Sequence, residues 1–420
     1  MLRRGASLFP RLKLQRHKTM SGLPMQSKAA TAIDRSGHIQ GYQRRICEDI
    51  LPFWADAGFD QDCGIFRERL DFSGRDCPSV PRRAMVQARQ IFVYSAAARD
   101  GVFREGGDLA ARAMQSLFEL YLDEKDPRRG FAFSIDAAGK GVSQIRDSYT
   151  HAFVLFSLAA LYGLTGEKRL LSAAEATLQF IDRHLICPEH GGLLDRQPAP
   201  ESVKRQNPLM HFLEACLALH EAAPEGPYFE RAARIVGLFE ARLFQREAGA
   251  LPEVFAADWS LDPQATAFFE PGHHFEWIWL LDWYRRLGGP VVAGTQERLW
   301  ESASCACGVD PRGWCYDTVS LDRRPLKRST RLWPHTEGAK AGVARHAAGE
   351  ARGLSFSARM LQTLNEIFLG RPFTGGWIDH FDANLEPIVS YVPASSLYHL
   401  YGAFREIARL RALETAKPTF

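Results

Sequence analysis

Six times along the 420-residue chain a glycine opens a short strand-like stretch, at nearly constant intervals. The copies begin at Gly64, Gly130, Gly192, Gly249, Gly313 and Gly376, spaced by 66, 62, 57, 64 and 63 residues. A period of that length marks a repeated supersecondary unit. Between the glycines the sequence reads as helices near 35–56, 81–99, 105–122, 143–164, 167–184, 206–222, 226–244, 272–286, 292–305, 331–346, 350–368 and 394–414. That is two per repeat, punctuated by Gly, Pro and Asp. Some, such as AFVLFSLAALYGL at 152–164, are apolar nearly all round and must be buried on most sides. Others are amphipathic. Alternation of the two kinds predicts an all-α fold of two concentric layers, an (α/α)6 barrel with short β-hairpins in the connecting loops. A propeller is excluded because the units are helical.

Composition adds limits. With 46% hydrophobic and 24% charged residues, the chain has an ordinary globular balance and length for a large core. A net charge of +3 demands neither nucleic acid nor a membrane surface, and the apolar runs are too short for a transmembrane span. None of the eight cysteines forms a CxxC pair, so they read as thiols in a reducing, cytoplasmic compartment, with structural zinc disfavoured. Residues 1–33 carry seven Lys or Arg and no acid. They read as a disordered basic tail ahead of a single domain over 34–420, although their composition is also that of a mitochondrial transit peptide.

The repeat also organises titratable groups. Near the start of each candidate inner helix stands, in turn, Arg89, His151, His211, His273, His335 and His399. In a barrel such positions converge on one mouth, so the set is expected to line a pocket. In PGHHFEWIWLL (271–281), His273 and Glu276 share one face of a helical turn. Histidine suits proton transfer near neutral pH, and two of them can remove and return a proton. A neighbouring carboxylate fixes the imidazole tautomer, and Arg89 suits an enediolate oxygen. No GxSxG, P-loop or HExxH is present, and neither a metal nor a cofactor is expected. Glycoside hydrolysis would need a carboxylate pair such as Glu276 and Glu337, and the histidine surplus argues against it.

The stretches EPGHHFEWIWLL, RLWPHTEGAKA, NPLMHFLEA, GGWIDHFD and SSLYHLY, read together, resemble the N-acylglucosamine 2-epimerase superfamily, over about residues 45–410. That resemblance implies an (α/α)6 barrel and a sugar isomerase or epimerase. It gives His399 the role of base at the substrate's α-carbon, and His273 that of second catalytic histidine. Glu276 becomes the carboxylate behind His273, and Arg89 the holder of the enediolate. His211, Tyr149, Trp333 and Glu337 become substrate-binding. Tyr391, eight residues before His399, stands where related isomerases have Trp. The wording of LWPHTE and LYHLY is closer to the mannose isomerases, which implies conversion of D-mannose to D-fructose without metal or redox cofactor. A 2-epimerase is an alternative, and a non-catalytic binding module is another. The resemblance also implies a homodimer. A monosaccharide is the expected partner. A sugar phosphate is the competitor, because DRRPLKRSTR at 322–331 brings Arg323, Arg324, Lys327, Arg328 and Arg331 ahead of the fifth inner helix.

Overall fold

The computed structural model describes residues 37–122, 130–198, 203–261 and 267–415. The basic segment 1–33 lies outside the described residues.

The repeated glycines set the turns. Gly64, Gly130, Gly192, Gly249 and Gly313 have φ between 58° and 100°, where a side chain would strain the backbone. In the sixth repeat the left-handed residue is Gly375 (φ 85°) rather than Gly376, so the expected phase is one residue late there. After each turn the chain bridges back to the end of the preceding helix. The bridges are Asp60 to Ile65, Leu122 to Phe131, Ile186 to Leu193, Gln245 to Ala250, Val309 to Cys315 and Leu369 to Trp377.

The helices run in chain order. α1 (His38–Arg44) passes through a π-helical turn (Arg45–Ile50) into α2 (Leu51–Asp56). Then come α3 (Ala84–Arg99), α4 (Gly106–Tyr121), α5 (Ser148–Thr165), α6 (Lys168–His184) and α7 (Gln206–Ala222). They are followed by α8 (Tyr228–Leu238), α9 (Pro271–Arg286), α10 (Ala293–Ser304), α11 (Trp333–Ala347), α12 (Ala351–Thr363) and α13 (Leu397–Thr415). α8 and α12 each end in a π-helical turn. α5 starts later than 143 because Gly141–Ser143 and Arg146–Asp147 are strands, and the Asp147 carboxylate caps the helix by accepting from the Thr150 N–H at 2.6 Å.

Two kinds of helix make two layers. α3, α5, α7, α9 and α11 are buried over nearly their whole length. α13 is largely buried too, while the outer helices bury a stripe, as α6 does with Leu170, Ala174, Leu178 and Ile181. Inner helices pack α3 on α5, α5 on α7, α7 on α9, α9 on α11 and α11 on α13, and α13 returns to α3. Each outer helix packs on the inner helix before it, and α1 lies against α13.

Short strands tie neighbouring repeats at the ends where the inner helices begin. Arg82–Arg83 pairs with Ser134–Ile135, Arg146–Asp147 with Arg196–Gln197, and Val203–Arg205 with Val254–Ala256. Phe268–Phe269 pairs with Thr318–Ser320, and Thr330–Arg331 with His380–Phe381. The sixth tie joins Tyr391–Pro393 to Arg69–Asp71, the last repeat to the first. All are antiparallel. The cysteines depart from expectation at one place: Cys305 and Cys307 are joined as a disulfide, while the other six are free. Among the described residues no helix is long and apolar enough to cross a membrane.

Candidate active site

The candidate side chains sit in the first two turns of inner helices. Arg89 is the sixth residue of α3, His211 the sixth of α7, His273 the third of α9 and His399 the third of α13. Helix N-termini carry partial positive charge, which favours an anion forming between them.

The expected convergence of the whole histidine set is corrected by the structure. His151 and His335 bind backbone, not the pocket. The His151 Nε2 accepts from the Phe131 N–H at 3.0 Å, and the His335 Nε2 accepts from the Cys315 N–H at 3.1 Å. Their Nδ1 atoms face the carbonyls of Asp147 and Arg331. Burial holds both pKa values near 4, so both rings are neutral. His274 does the same job, its Nε2 accepting from the Leu251 N–H at 3.0 Å. In the first repeat Gln87 takes that place, accepting from the Phe66 N–H at 2.7 Å and donating to its carbonyl at 2.8 Å. These four side chains lock the glycine turns onto the inner helices. The lock needs the glycine: a Cβ on Gly130 would stand 2.5 Å from the His151 Nε2. The adjacent pair His273–His274 therefore divides two tasks, one ring facing a neighbouring loop and the other the pocket.

His399 and His273 lean on the same indole. Ring centroids of His273 and Trp333 are 4.8 Å apart, and those of Trp333 and His399 5.6 Å. Gly272 makes this possible, because a Cβ there would meet the Trp333 ring at 2.5 Å. Both histidines use Nδ1 toward a carboxylate: His399 to Glu337 at 2.8 Å and His273 to Glu253 at 2.9 Å. Among the described residues no protein group bonds the Nε2 of either. Each side chain keeps about 8% of its surface exposed.

The two imidazoles differ in charge, and the cause is visible. Burial opposes the charge on His273, but Glu253, Glu270 and Glu276 outweigh it and raise its pKa to about 9. His399 also faces a carboxylate, yet the second oxygen of Glu337 lies 2.5 Å from the Lys340 ammonium. Burial, then the Arg89 and Lys340 charges, hold His399 well below its ordinary range. Near neutral pH, then, His273 is charged and can give a proton, while His399 is neutral and can take one, with its Nδ1–H donated to Glu337.

Glu276 does not stand behind His273 as expected; Glu253, from the loop before α9, fills that place. Glu276 belongs to a second group. His211 faces Glu214 at 2.9 Å, and Tyr398 donates to Glu214 at 2.5 Å and to Glu276 at 3.4 Å. Burial raises the Glu276 carboxyl well above its ordinary value, and Glu337 adds to the rise. Two sets, His211–Glu214–Glu276 and Glu276–Glu337–His399, place donor atoms within 4.8 Å of one another. The Lys340 ammonium already serves these carboxylates: Glu337, Glu276 and Glu214 all raise its pKa.

Arg89 donates to the Tyr149 hydroxyl at 2.7 Å and to the Ser395 carbonyl at 3.2 Å, and its guanidinium lies 4.2 Å from the Phe153 ring centre. Tyr149 and Ser395 also line an open cavity of about 910 Å³ at the mouth, together with Tyr391. The basic run 322–331 does not line that cavity. Arg324 is 77% exposed and paired to Asp322, Arg323 is bonded to the Ala248 carbonyl, and Arg331 is held by Asp317 and Glu270 at 2.8 and 2.9 Å.

Sequence reading missed Glu253, Glu214, Lys340 and Tyr398. Two had a signal: Glu214 is three residues beyond His211, and Lys340 three beyond Glu337, so each pair shares a helix face. Glu253 had none, since a loop residue 20 positions from His273 obeys no spacing rule.

The family model for N-acylglucosamine 2-epimerase matches residues 64–403. A mannose-6-phosphate isomerase of Rhizobium meliloti is 31% identical over 89% of this chain and 96% of its own. A D-mannose isomerase of Thermobifida fusca is 26% identical over 80% of this chain and 86% of its own. In fold, the chain matches the solved cellobiose 2-epimerase of Spirochaeta thermophila with a TM-score of 0.80 at 21% identity, over 90% and 97% of the two chains. Buried histidines and carboxylates at one end of a helical double layer, with a family match over most of the chain, lead to one assignment: this protein belongs to the N-acylglucosamine 2-epimerase family and is a sugar isomerase or epimerase.

Proposed function

We propose that the protein is an aldose–ketose isomerase for a mannose-configured hexose, interconverting D-mannose and D-fructose through an enediolate. The reading takes residues 34–420 as one catalytic (α/α)6 barrel and needs neither metal nor redox cofactor. The observation that carries it is the opposite charge of two histidines resting on one tryptophan.

In this mechanism the substrate's C1–C2 end lies by Trp333. His273, cationic, gives its proton to the ring oxygen and takes up the C1 hydroxyl proton as the C1–ring-oxygen bond breaks, leaving the open-chain aldehyde and His273 again cationic. The neutral Nε2 of His399 removes the C2 proton, the electron pair of that bond forms the C1–C2 double bond, and negative charge moves to the C1 oxygen. Arg89 and the surrounding helix N-termini stabilise that charge. The C2 hydroxyl proton then passes to the C1 oxygen, and His399 returns its proton to C1 as the C2 carbonyl of the ketose forms. Glu337 holds the His399 tautomer throughout, and Lys340 keeps Glu337 from making His399 a permanent cation. His211, Tyr149, Tyr391 and Trp333 bind the sugar, and Glu276 with Glu214 and Tyr398 forms the polar floor.

Support also comes from the relatives' names, two of which are isomerases of mannose or its 6-phosphate. A 2-epimerase is the second reading, supported by a relative named cellobiose 2-epimerase. It would have His273 deliver a proton to the opposite face of C2. Proton NMR in D2O decides: fructose from mannose, with deuterium entering C1, is expected. Interconversion of 2-epimers with deuterium at C2 and no ketose overturns isomerisation in favour of epimerisation.

A further inference from the structure

The cavity at the mouth holds four arginines, and two of them are already neutralised. Arg83 pairs with Glu68 at 2.6 Å, and Arg205 with Asp195 at 2.6 Å. The remaining acids of the lining are also engaged: Asp147 caps α5, and Asp379 accepts from the Ser396 hydroxyl at 2.5 Å. Arg69 and Arg196 are left. Among the described residues neither has a carboxylate partner. Arg69 lies over Tyr391, its guanidinium 4.2 Å from the ring centre, and its Nε is buried without any hydrogen-bond partner. Both stand on strand ties, Arg69 opposite Pro393 and Arg196 opposite Asp147, so their backbones are fixed from two repeats each.

A buried, unpaired guanidinium nitrogen such as the Arg69 Nε, beside an aqueous cavity, is costly unless an anion completes it. The cavity adjoins the reacting end through Tyr149 and Ser395, the two groups that hold Arg89. A hexose with C1 and C2 at the histidines would direct its far end outward, toward this cavity.

We propose that Arg69 and Arg196 form an anion subsite for a phosphate on C6 of the hexose. The subsite rests on the isomerase reading above and moves the preferred substrate from the free sugar to its 6-phosphate. A phosphate monoester is largely dianionic at neutral pH, and planar guanidinium groups match its oxygens. This replaces the exposed run 322–331 as the phosphate-binding element.

The test compares kcat/KM for mannose 6-phosphate and mannose in wild type, Arg69→Gln, Arg196→Gln and Arg324→Gln. The subsite predicts a preference for the phosphate, and a fall in the phosphate-to-mannose ratio of about ten- to hundredfold in each of the first two variants. Arg69→Lys should restore part of it. Arg324→Gln, on the exposed loop, should leave the ratio unchanged. Turnover of mannose with none of its 6-phosphate would overturn the subsite and leave the isomerase standing. If neither sugar reacts, the isomerase reading falls, and inorganic phosphate decides the subsite alone. A phosphate-dependent rise in Tm lost in Arg69→Gln and Arg196→Gln supports it, and no rise in wild type overturns it.

Discussion

Lys340 and Glu337 form a wholly buried ion pair, Nζ to Oε2 2.5 Å, three residues apart on α11. The other oxygen of the same carboxylate holds His399 at 2.8 Å. One ammonium thus sets how strongly a carboxylate can pull a proton onto the base. In Lys340→Met the Glu337–His399 pair takes up its proton at higher pH, and the acid limb of kcat/KM moves upward. Breaking one side of a buried pair also lowers stability, by about 3–5 kcal/mol. A pH–rate profile with a denaturant titration reads both. An unmoved acid limb would remove Lys340 from control of His399.

Glu253→Gln tests the opposite histidine. Its carboxylate keeps His273 charged up to about pH 9. The variant should move the alkaline limb of kcat/KM downward, because the acid is lost sooner as pH rises. Stability follows the same sign. The folded pKa lies above the ordinary 6.5, so the pair's contribution is complete below about 6.5 and is lost as pH rises through about 9.

Histidines of the two kinds should separate cleanly. His335→Leu strands the buried Cys315 N–H and should cost about 1–3 kcal/mol of stability, with turnover per folded molecule within about twofold of wild type. His399→Gln should do the reverse, lowering kcat by about 10²- to 10⁴-fold with little change in Tm. Circular dichroism melts beside steady-state rates are sufficient.

Gly272→Ala puts a methyl group where the Trp333 ring now lies. The indole must shift, and both His273 and His399 rest on it. Displacement on that scale costs about 10²-fold in turnover. Trp fluorescence and kcat/KM measured together should both change.

Exhaustive chelation should leave turnover intact, since Lys340 supplies the positive charge the carboxylates require. Loss of activity restored by a divalent ion would contradict this.

The fold was legible because its punctuation is steric: glycines at left-handed turns cannot be replaced by chance, and helices such as α5 declare their burial by being apolar on every side. The site was half legible. Spacing located His211, His273 and His399 but also swept in His151 and His335, because residues one apart on a helix differ by about 100° and linear spacing does not separate those directions. Gln87 was the available clue: an amide that locks the first turn marks its equivalents as locks too. Glu253 was illegible, since only the folded loop brings it to His273.

His273 and His274 carry a further consequence. Deleting one residue from the turn Glu270–Gly272 would rotate the helix by about 100° beneath the chain. The same two imidazoles would remain, each moved off its partner, and composition would be nearly untouched. A protein built this way stores its chemistry as angular phase, so its most fragile positions include residues that never touch a substrate.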